Sequence, residues 1–344
     1  MVCRTLPAAV VLLAFLAGGT APTRSSPATS SLTRLAVATP VRSAVQLSLV
    51  STDGLSIRRL TQGAGAVSSL AWSPDGRQIA FVYEFRGSRQ IWLIPRIGVA
   101  ARALTSLPSD NISPAWSPDG RRLAFISTRR GTPQVFLMSA DGRGVRQVTR
   151  GDASRTVSWS PEGTYLAVVS ARGSGEDLDL DMIRPDGGGR RRLSTAPLLP
   201  RPGMMHPAWS PDGTRLAYVS RVGLAEQEIR IVSVDGRDQR RLSTGYAPAW
   251  SPDGRSVALV VPRVGDAQIY IAKADGTGSR RLTRGRGIFL LPRWAPDGAA
   301  IAFIAIRDGD LAVTVIKPDG SGERRLVSTT GDLTGLPLFV WQPR

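Results

Sequence analysis

A six-residue phrase, Ala-Trp-Ser-Pro-Asp-Gly, returns along this chain with the regularity of a repeat architecture. It stands at Ala71–Gly76, Ala115–Gly120, Ala208–Gly213 and Ala249–Gly254, with variants at Ser158–Gly163 and Arg293–Gly298. The tryptophans fall at positions 72, 116, 159, 209, 250 and 294, and a seventh, Trp341, stands without the turn. Successive spacings of 41 to 50 residues fit a four-stranded propeller blade, whose period is roughly 40–45 residues.

Each unit reads as four short strands, a to d. Strand a ends at the tryptophan, and Ser-Pro-Asp-Gly turns the chain: Pro presets φ at the second turn position and Gly takes the left-handed fourth. Strand b follows, as in Leu123–Ile126, then strand c, as in Val135–Met138. A second turn, Asp141-Gly142, recurs at Asp53, Asp186, Asp235, Asp275 and Asp319, and Asp-Gly is a strong hairpin signal. Strand d carries Arg-Arg-Leu-Thr, as at Arg280–Thr283, or Arg-Arg-Leu-Ser at Arg240–Ser243. The N-terminal segments Arg34–Val37, Val45–Val50 and Arg58–Leu60 match strands b, c and d, and Leu338–Trp341 matches strand a. The sequence thus predicts an all-β fold: a seven-bladed β-propeller of four-stranded blades, closed by an N- and C-terminal strand clasp. Six blades is the alternative if the terminal strands do not pair. A closed ring leaves only short, protected edges.

Export is expected ahead of the propeller. Arg4 precedes the apolar run Leu6–Ala17, which small residues follow, the layout of a signal peptide. That run is shorter than the roughly 20 apolar residues that cross a bilayer. The expected organisation is a signal peptide over residues 1–24, a flexible lead-in over 25–32 and the propeller over 33–344. The one cysteine, Cys3, lies in the leader, so the mature chain carries no disulfide. With His206 the one histidine, a thiolate zinc site or a His-rich metal site is excluded. No metal, cofactor or catalytic residue is assigned.

Trp-Ser-Pro-Asp-Gly followed by an Ile-Ala-Phe-like strand and an Asp-Gly-turned strand resembles the TolB-like (WD40-like) propeller repeat. That repeat also occurs in tricorn-like and prolyl-oligopeptidase-type proteins. The resemblance spans residues 33–344 and implies the propeller; it does not imply an activity, because one fold hosts many. Two departures matter. TolB carries an α/β domain before a six-bladed propeller, for which this chain has no room, and the peptidases add a hydrolase domain whose Gly-x-Ser-x-Gly elbow is missing here.

Antiparallel alternation places both turn types on one rim and the b–c and d–a loops on the other, where a rigid scaffold tends to carry its function. The binding candidates at that channel mouth are Asp110, Asn111, Asp152, Arg155, Met204, Met205, His206, Tyr246 and Phe289. The longest d–a loop, Ala196–His206, is apolar and proline-stiffened, which suits a partner surface. Phe289, Leu290 and Leu291 add exposed apolar candidates, with a channel plug as the plain alternative. A lone histidine is more often structural than a base. The acidic run Glu176, Asp177, Asp179, Asp181 lacks the glycine and terminal glutamate of a calcium loop and reads as a solvated strand c.

The formal charge is +17, and only Lys273 and Lys317 are lysines among 44 basic residues. Arginines concentrate on the outermost strand d as a girdle: Arg58, Arg59, Arg191, Arg192, Arg240, Arg241, Arg280, Arg281, Arg324 and Arg325, with Arg102 and Arg146. Edge protection explains them; attraction to anionic lipid or envelope glycan is the sharper alternative. A second basic set, Arg86, Arg89, Arg129, Arg130, Arg172, Arg221, Arg263 and Arg307, falls in the b–c loops. Nucleic acid is disfavoured, because no array of base-stacking aromatics accompanies the charge. The expectation is an exported, monomeric, non-enzymatic scaffold that binds a protein partner or envelope polymer through its d–a and b–c loops. Two alternatives stand: a lyase or hydrolase acting on an anionic sugar or ester at the channel mouth with His206 as base, and adhesion to anionic membrane or glycan by the girdle.

Overall fold

In a computed structural model, which describes residues 34–41, 44–63, 65–98, 100–106, 108–171, 173, 177–194, 206–222, 226–329 and 338–343, the chain forms 28 strands, with no helix among those residues. The expected leader and lead-in, and Met204 and Met205, lie outside the described residues. The first three strands are β1 (Arg34–Val41), β2 (Ala44–Ser51) and β3 (Ile57–Arg59). Six runs of four follow. They are β4 (Ala66–Trp72), β5 (Gln78–Phe85), β6 (Ser88–Pro95) and β7 (Arg102–Ala103); then β8 (Asn111–Trp116), β9 (Arg122–Ser127), β10 (Gln134–Ser139) and β11 (Arg146–Gln147). Next come β12 (Ser154–Trp159), β13 (Leu166–Ala171), β14 (Leu178–Ile183) and β15 (Arg191–Arg192), and β16 (Ala208–Trp209), β17 (Arg215–Val222), β18 (Glu226–Ser233) and β19 (Gln239–Thr244). The last two runs are β20 (Tyr246–Trp250), β21 (Ser256–Arg263), β22 (Asp266–Lys273) and β23 (Ser279–Arg281), and β24 (Ile288–Trp294), β25 (Ile301–Arg307), β26 (Asp310–Ile316) and β27 (Arg324–Thr329). A final strand, β28 (Leu338–Trp341), pairs antiparallel with β1, from Leu35 opposite Trp341 to Ala38 opposite Leu338. Within each run, neighbours in sequence pair antiparallel, so β28-β1-β2-β3 makes a seventh four-stranded group.

The turn phrase folds as its chemistry requires. Ser73 Oγ donates to Asp75 Oδ1 (2.6 Å), the Arg77 and Gln78 amides donate to Asp75 Oδ1 and Ser73 Oγ, and Gly76 adopts φ 64°. The Ser-to-Asp bond recurs at Ser117, Ser210 and Ser251. It holds the carboxyls of Asp75, Asp119 and Asp253 below their ordinary range, because the serine hydroxyl stabilises the charged form. At the variant turn, Ala295 has no hydroxyl to give, and the backbone bonds and the Ala299 amide's bond to Asp297 Oδ1 remain. Consecutive turns also stack: ideal Cβ atoms on Gly120, Gly163, Gly254 and Gly298 would sit 3.5–3.9 Å from Pro74, Pro118, Pro211 and Pro252 of the preceding turn.

The last residue of the strand d signature has a role that the repeat alone does not show. Thr105 Oγ1 accepts the Ile91 amide of strand c and donates to Gln90 Oε1, and Thr61, Thr149 and Thr283 do the same with Gln46, Gln134 and Gln268. Buried polar groups that are so satisfied carry little penalty.

The core lies between sheets. Ala80, Val82, Ile91 and Leu93 of one sheet pack against Trp116, Phe125, Phe136 and Met138 of the next, and the same pattern joins the other neighbours. The repeat tryptophans are the pins. Trp72, Trp159, Trp250 and Trp341 donate their indole N–H to backbone oxygens of Val340, Ala115, Ala208 and Arg293, each on strand a of an adjacent group. Burying a large aromatic while pairing its N–H suits the ring at both ends.

Candidate functional site

In four of the groups the first strand bends in a repeated way. Registers slip between Ser68 and Ala71, Ile112 and Ala115, Tyr246 and Ala249, and Leu290 and Arg293. At the third position before the tryptophan, Ser69, Ser113, Ala247 and Leu291 adopt left-handed backbone, φ 50–54°, without being glycine. Such bulges re-aim side chains and gather at sites. Ser69, Ser113 and Leu291 line one cavity of about 290 Å³, together with other residues of β4, β8, β12, β24 and β28 and with His206 just ahead of β16. His206 occupies the same third position before its tryptophan, Trp209.

Two polar side chains stand out in that cavity, His206 and Arg293. His206 is exposed at the cavity, and desolvation by the surrounding protein, with the Arg293 charge second, depresses its pKa to about 4. The imidazole is therefore neutral at pH 7. Arg293 is partly buried, and burial likewise lowers its pKa. The position before the tryptophan is Ala71, Ala115, Ser158, Ala208, Ala249 and Val340 in the other groups. That break in a rule of small or aliphatic residues was the available signal for Arg293, which the candidate list omitted.

The structure does not bring the remaining described candidates to this cavity. Asp110 pairs with Arg89, and Asn111 is fully buried, bonded to Gln90, Ser109 and Arg129. Asp152 accepts the Gly173 amide and borders a separate crevice with Asp181 and Arg190. Arg155 is exposed. Tyr246 is buried in an inter-sheet cluster. Phe289 corrects an expectation: it is not an exposed apolar residue but wholly buried, edge-on to Phe303 at 5.8 Å and covered by the Arg307 guanidinium. The strand begins one residue earlier than a loop would require, and its alternation turns Phe289 inward.

The acidic strand is a second correction. Asp179 and Asp181 are buried, not solvated, and meet Arg192 and Arg190 at 2.7 Å. Every residue of β14 is buried, so the alternation that looked half-polar runs between two covered faces. Among the described residues, no group of three or more His, Cys, Asp or Glu side chains gathers as metal ligands would.

The girdle divides by neighbour. One arginine of strand d in each group donates to a backbone carbonyl at the outer turn of the next: Arg102 to Asp141 (3.2 Å), Arg146 to Pro185 (2.8 Å), Arg191 to Val234 (3.3 Å) and Arg240 to Ala274 (2.6 Å). Arg58 reaches Arg96, Arg280 reaches Pro318, and Arg324 reaches Thr52. The seven bonds run head to tail from group to group and return to the first. Of the partners beside them, Arg192, Arg241 and Arg325 pair with Asp179, Glu228 and Asp310 of their own strand c. Arg281 bonds Gln268, Thr283 and Gly285. The loop arginines are similarly engaged: Arg221 with Asp177, Arg307 with Glu323, and Arg129 against Phe125 and Phe136.

Four-stranded antiparallel groups, four of them bonded to a neighbour by a tryptophan N–H and several converging on one cavity, define a β-propeller repeat protein. The sequence model of the TolB beta propeller domain matches residues 21–245 and 198–339, and the chain belongs to that family. Solved structures agree on the fold. TolB from Acinetobacter baumannii aligns with a TM-score of 0.58 at 22% identity, over 76% of this chain and 66% of that one. An oligogalacturonate lyase in complex with manganese aligns at 0.65 and 15%, over 79% and 82%. A prolyl endopeptidase aligns at 0.66 and 13%, over 86% of this chain and 50% of its own. This chain therefore spans just under two thirds of the first of these and half of the last. No curated protein sequence matches it.

Proposed function

We propose that the seven groups close as a seven-bladed propeller clasped by β28 on β1, and that the protein is an exported scaffold that docks a protein partner or envelope polymer on its loop rim. The observation that carries this reading is the contrast between the two rims. On the turn rim the loops are uniform, stacked turn on turn, and their aspartates are spent on their own serines and amides. On the loop rim the d–a connections vary widely: eight residues separate Leu242 from Trp250 and sixteen separate Leu193 from Trp209. Variable loops on a rigid frame suit recognition. The closed chain of seven arginine bonds and the β1–β28 pairing support the ring. Membership of the TolB propeller family and the apolar N-terminal run support export.

Three girdle arginines pair with carboxylates and seven bond carbonyls of neighbouring groups, which supports a structural role for the girdle ahead of adhesion. The test is affinity capture from a cell-envelope extract with the intact protein and with residues 196–205 replaced by a short Gly-Ser linker. Loss of the captured partner supports the docking surface. Recovery of the same partners at the same yield places it elsewhere.

A further inference from the structure

The strongest unabsorbed feature is an unmatched charge at the centre of the molecule. Arg293 lines the cavity, and the one hydrogen bond its guanidinium makes is from Nη1 to the neighbouring Pro292 carbonyl at 3.0 Å. A guanidinium offers five N–H donors in a fixed fork, so most of them have no partner among the described residues. Among the described residues no carboxylate reaches it; the acids near the sheets are engaged by other arginines or by turn hydroxyls. The cavity walls around it are largely apolar, from Leu70, Val157, Leu338 and Phe339. His206 shares the cavity and also has no hydrogen-bond partner among the described residues. Other arginines without a carbonyl or carboxylate partner, such as Arg59, Arg155 and Arg286, are exposed to solvent, whereas Arg293 is partly buried at a cavity.

We propose that the central cavity is a binding site for a small monocarboxylate, its carboxylate paired with the Arg293 guanidinium and its body against the apolar wall. Each step follows from the geometry. One cation calls for one anionic charge, and the planar fork of arginine matches a carboxylate with two parallel hydrogen bonds. A largely apolar cavity with a few convergent polar groups is the usual form of a small-molecule site. Its volume of about 290 Å³ restricts the ligand to a small molecule. A phosphate dianion would need a second cation, and His206 does not supply one because it stays neutral at pH 7. Neutral imidazole instead offers one further donor or acceptor to a polar group on the ligand. Among the described residues, Arg293 and the wall residues belong to strands, whereas the proposed docking surface is a loop, so the two sites can be tested separately.

The test is titration calorimetry at low salt with benzoate as probe, benzamide as its neutral counterpart, and chloride and phosphate as competing anions. Benzoate is expected to bind the intact protein at least 10-fold more tightly than benzamide, and Arg293→Gln is expected to weaken benzoate by at least 10-fold. Ligand-free Arg293→Gln should melt at or above the intact protein, since it removes a poorly solvated charge; an arginine with a merely structural role would lower the melting point instead. Leu70→Trp, which fills the cavity and leaves the charge, should abolish binding as well, and it keeps the test decisive if Arg293→Gln does not fold. Equal benzoate affinity in Arg293→Gln or Leu70→Trp, equal affinity for benzamide, or chloride and phosphate binding as tightly as benzoate would each overturn the proposal. Loss of benzoate binding with partner capture intact, or the reverse, separates this site from the docking surface.

Discussion

The head-to-tail arginine bonds make a quantitative claim about how neighbouring sheets are held. Consider Arg146→Gln, Arg191→Gln and Arg240→Gln combined, which remove three consecutive links. A hydrogen bond from a charged donor contributes about 1.5–3 kcal/mol when buried, and solvent cuts that to about 0.5–1 kcal/mol for exposed groups. Arg146 and Arg191 are exposed and take the lower figure; Arg240 is half-buried with a 2.6 Å bond and falls between. Sites this far apart add, so the triple variant should lose about 2–3.5 kcal/mol. Unfolding entropy for roughly 300 residues is about 0.6 kcal/mol/K, which converts the loss to a melting point lower by about 3–6 °C. Removing three positive charges from a chain of +17 relieves self-repulsion and works the other way. The control is therefore Arg59→Gln, Arg155→Gln and Arg286→Gln, three exposed arginines without a partner among the described residues. Scanning calorimetry of the two triples isolates the links from the charge. If they melt within 1 °C of each other, the arginine bonds do not hold the sheets and the girdle is free surface charge.

Two further outcomes are expected. The chain has one histidine, so its imidazole Hε1 gives a single titrating proton resonance; its midpoint should lie below the ordinary 6.5 and near 4. Because the unfolded chain takes up that proton near 6.5 and the folded one does not until about 4, His206's stability contribution is complete above pH 6.5 and falls as the pH drops through that window, a slope His206→Gln should remove. A folded-state midpoint at or above 6.5 would show the ring to be fully solvated. Deleting residues 338–344 removes the pairing to β1 and the buried Phe339 and Trp341, about 1.5–3 kcal/mol for each aromatic against a total stability of about 5–15 kcal/mol. The shortened chain should aggregate or melt at least 8 °C lower, and a folded monomer within 2 °C of the intact protein would show that the terminal strands do not close the molecule.

Most of the fold was legible because its signals are local and repeated. Tryptophan spacing sets the sheet period, Ser-Pro-Asp-Gly states its own turn, and the terminal fragments name the missing strands b, c, d and a of one group, which β1, β2, β3 and β28 supply. Two readings failed where side-chain direction depends on what covers a strand. Asp179 and Asp181 look half-solvated by alternation, yet both faces of β14 are covered and the charges are absorbed by Arg192 and Arg190. Phe289 looks like loop, but β24 already includes it and points it at Phe303. The arginine links were out of reach for another reason: their acceptors are backbone carbonyls of the next sheet, which carry no mark in the sequence.

The charge of the chain and its binding chemistry separate once the partners are named. Charge on strand d is largely structural, because the outermost strand of one sheet lies beside the turn carbonyls of the next, and arginine reaches them while its charge also discourages edge pairing. Lysine would serve less well there, having no planar fork to bond a carbonyl and a neighbouring group together. Charge inside the cavity has no such explanation. Among the described residues the Arg293 guanidinium makes no hydrogen bond or ion pair to another sheet, protects no edge, and replaces the small or aliphatic residue that close packing uses at the other six positions. A basic side chain with no hydrogen bond to another sheet among the described residues, at a cavity lined by five of the seven first strands, is best understood by what it binds.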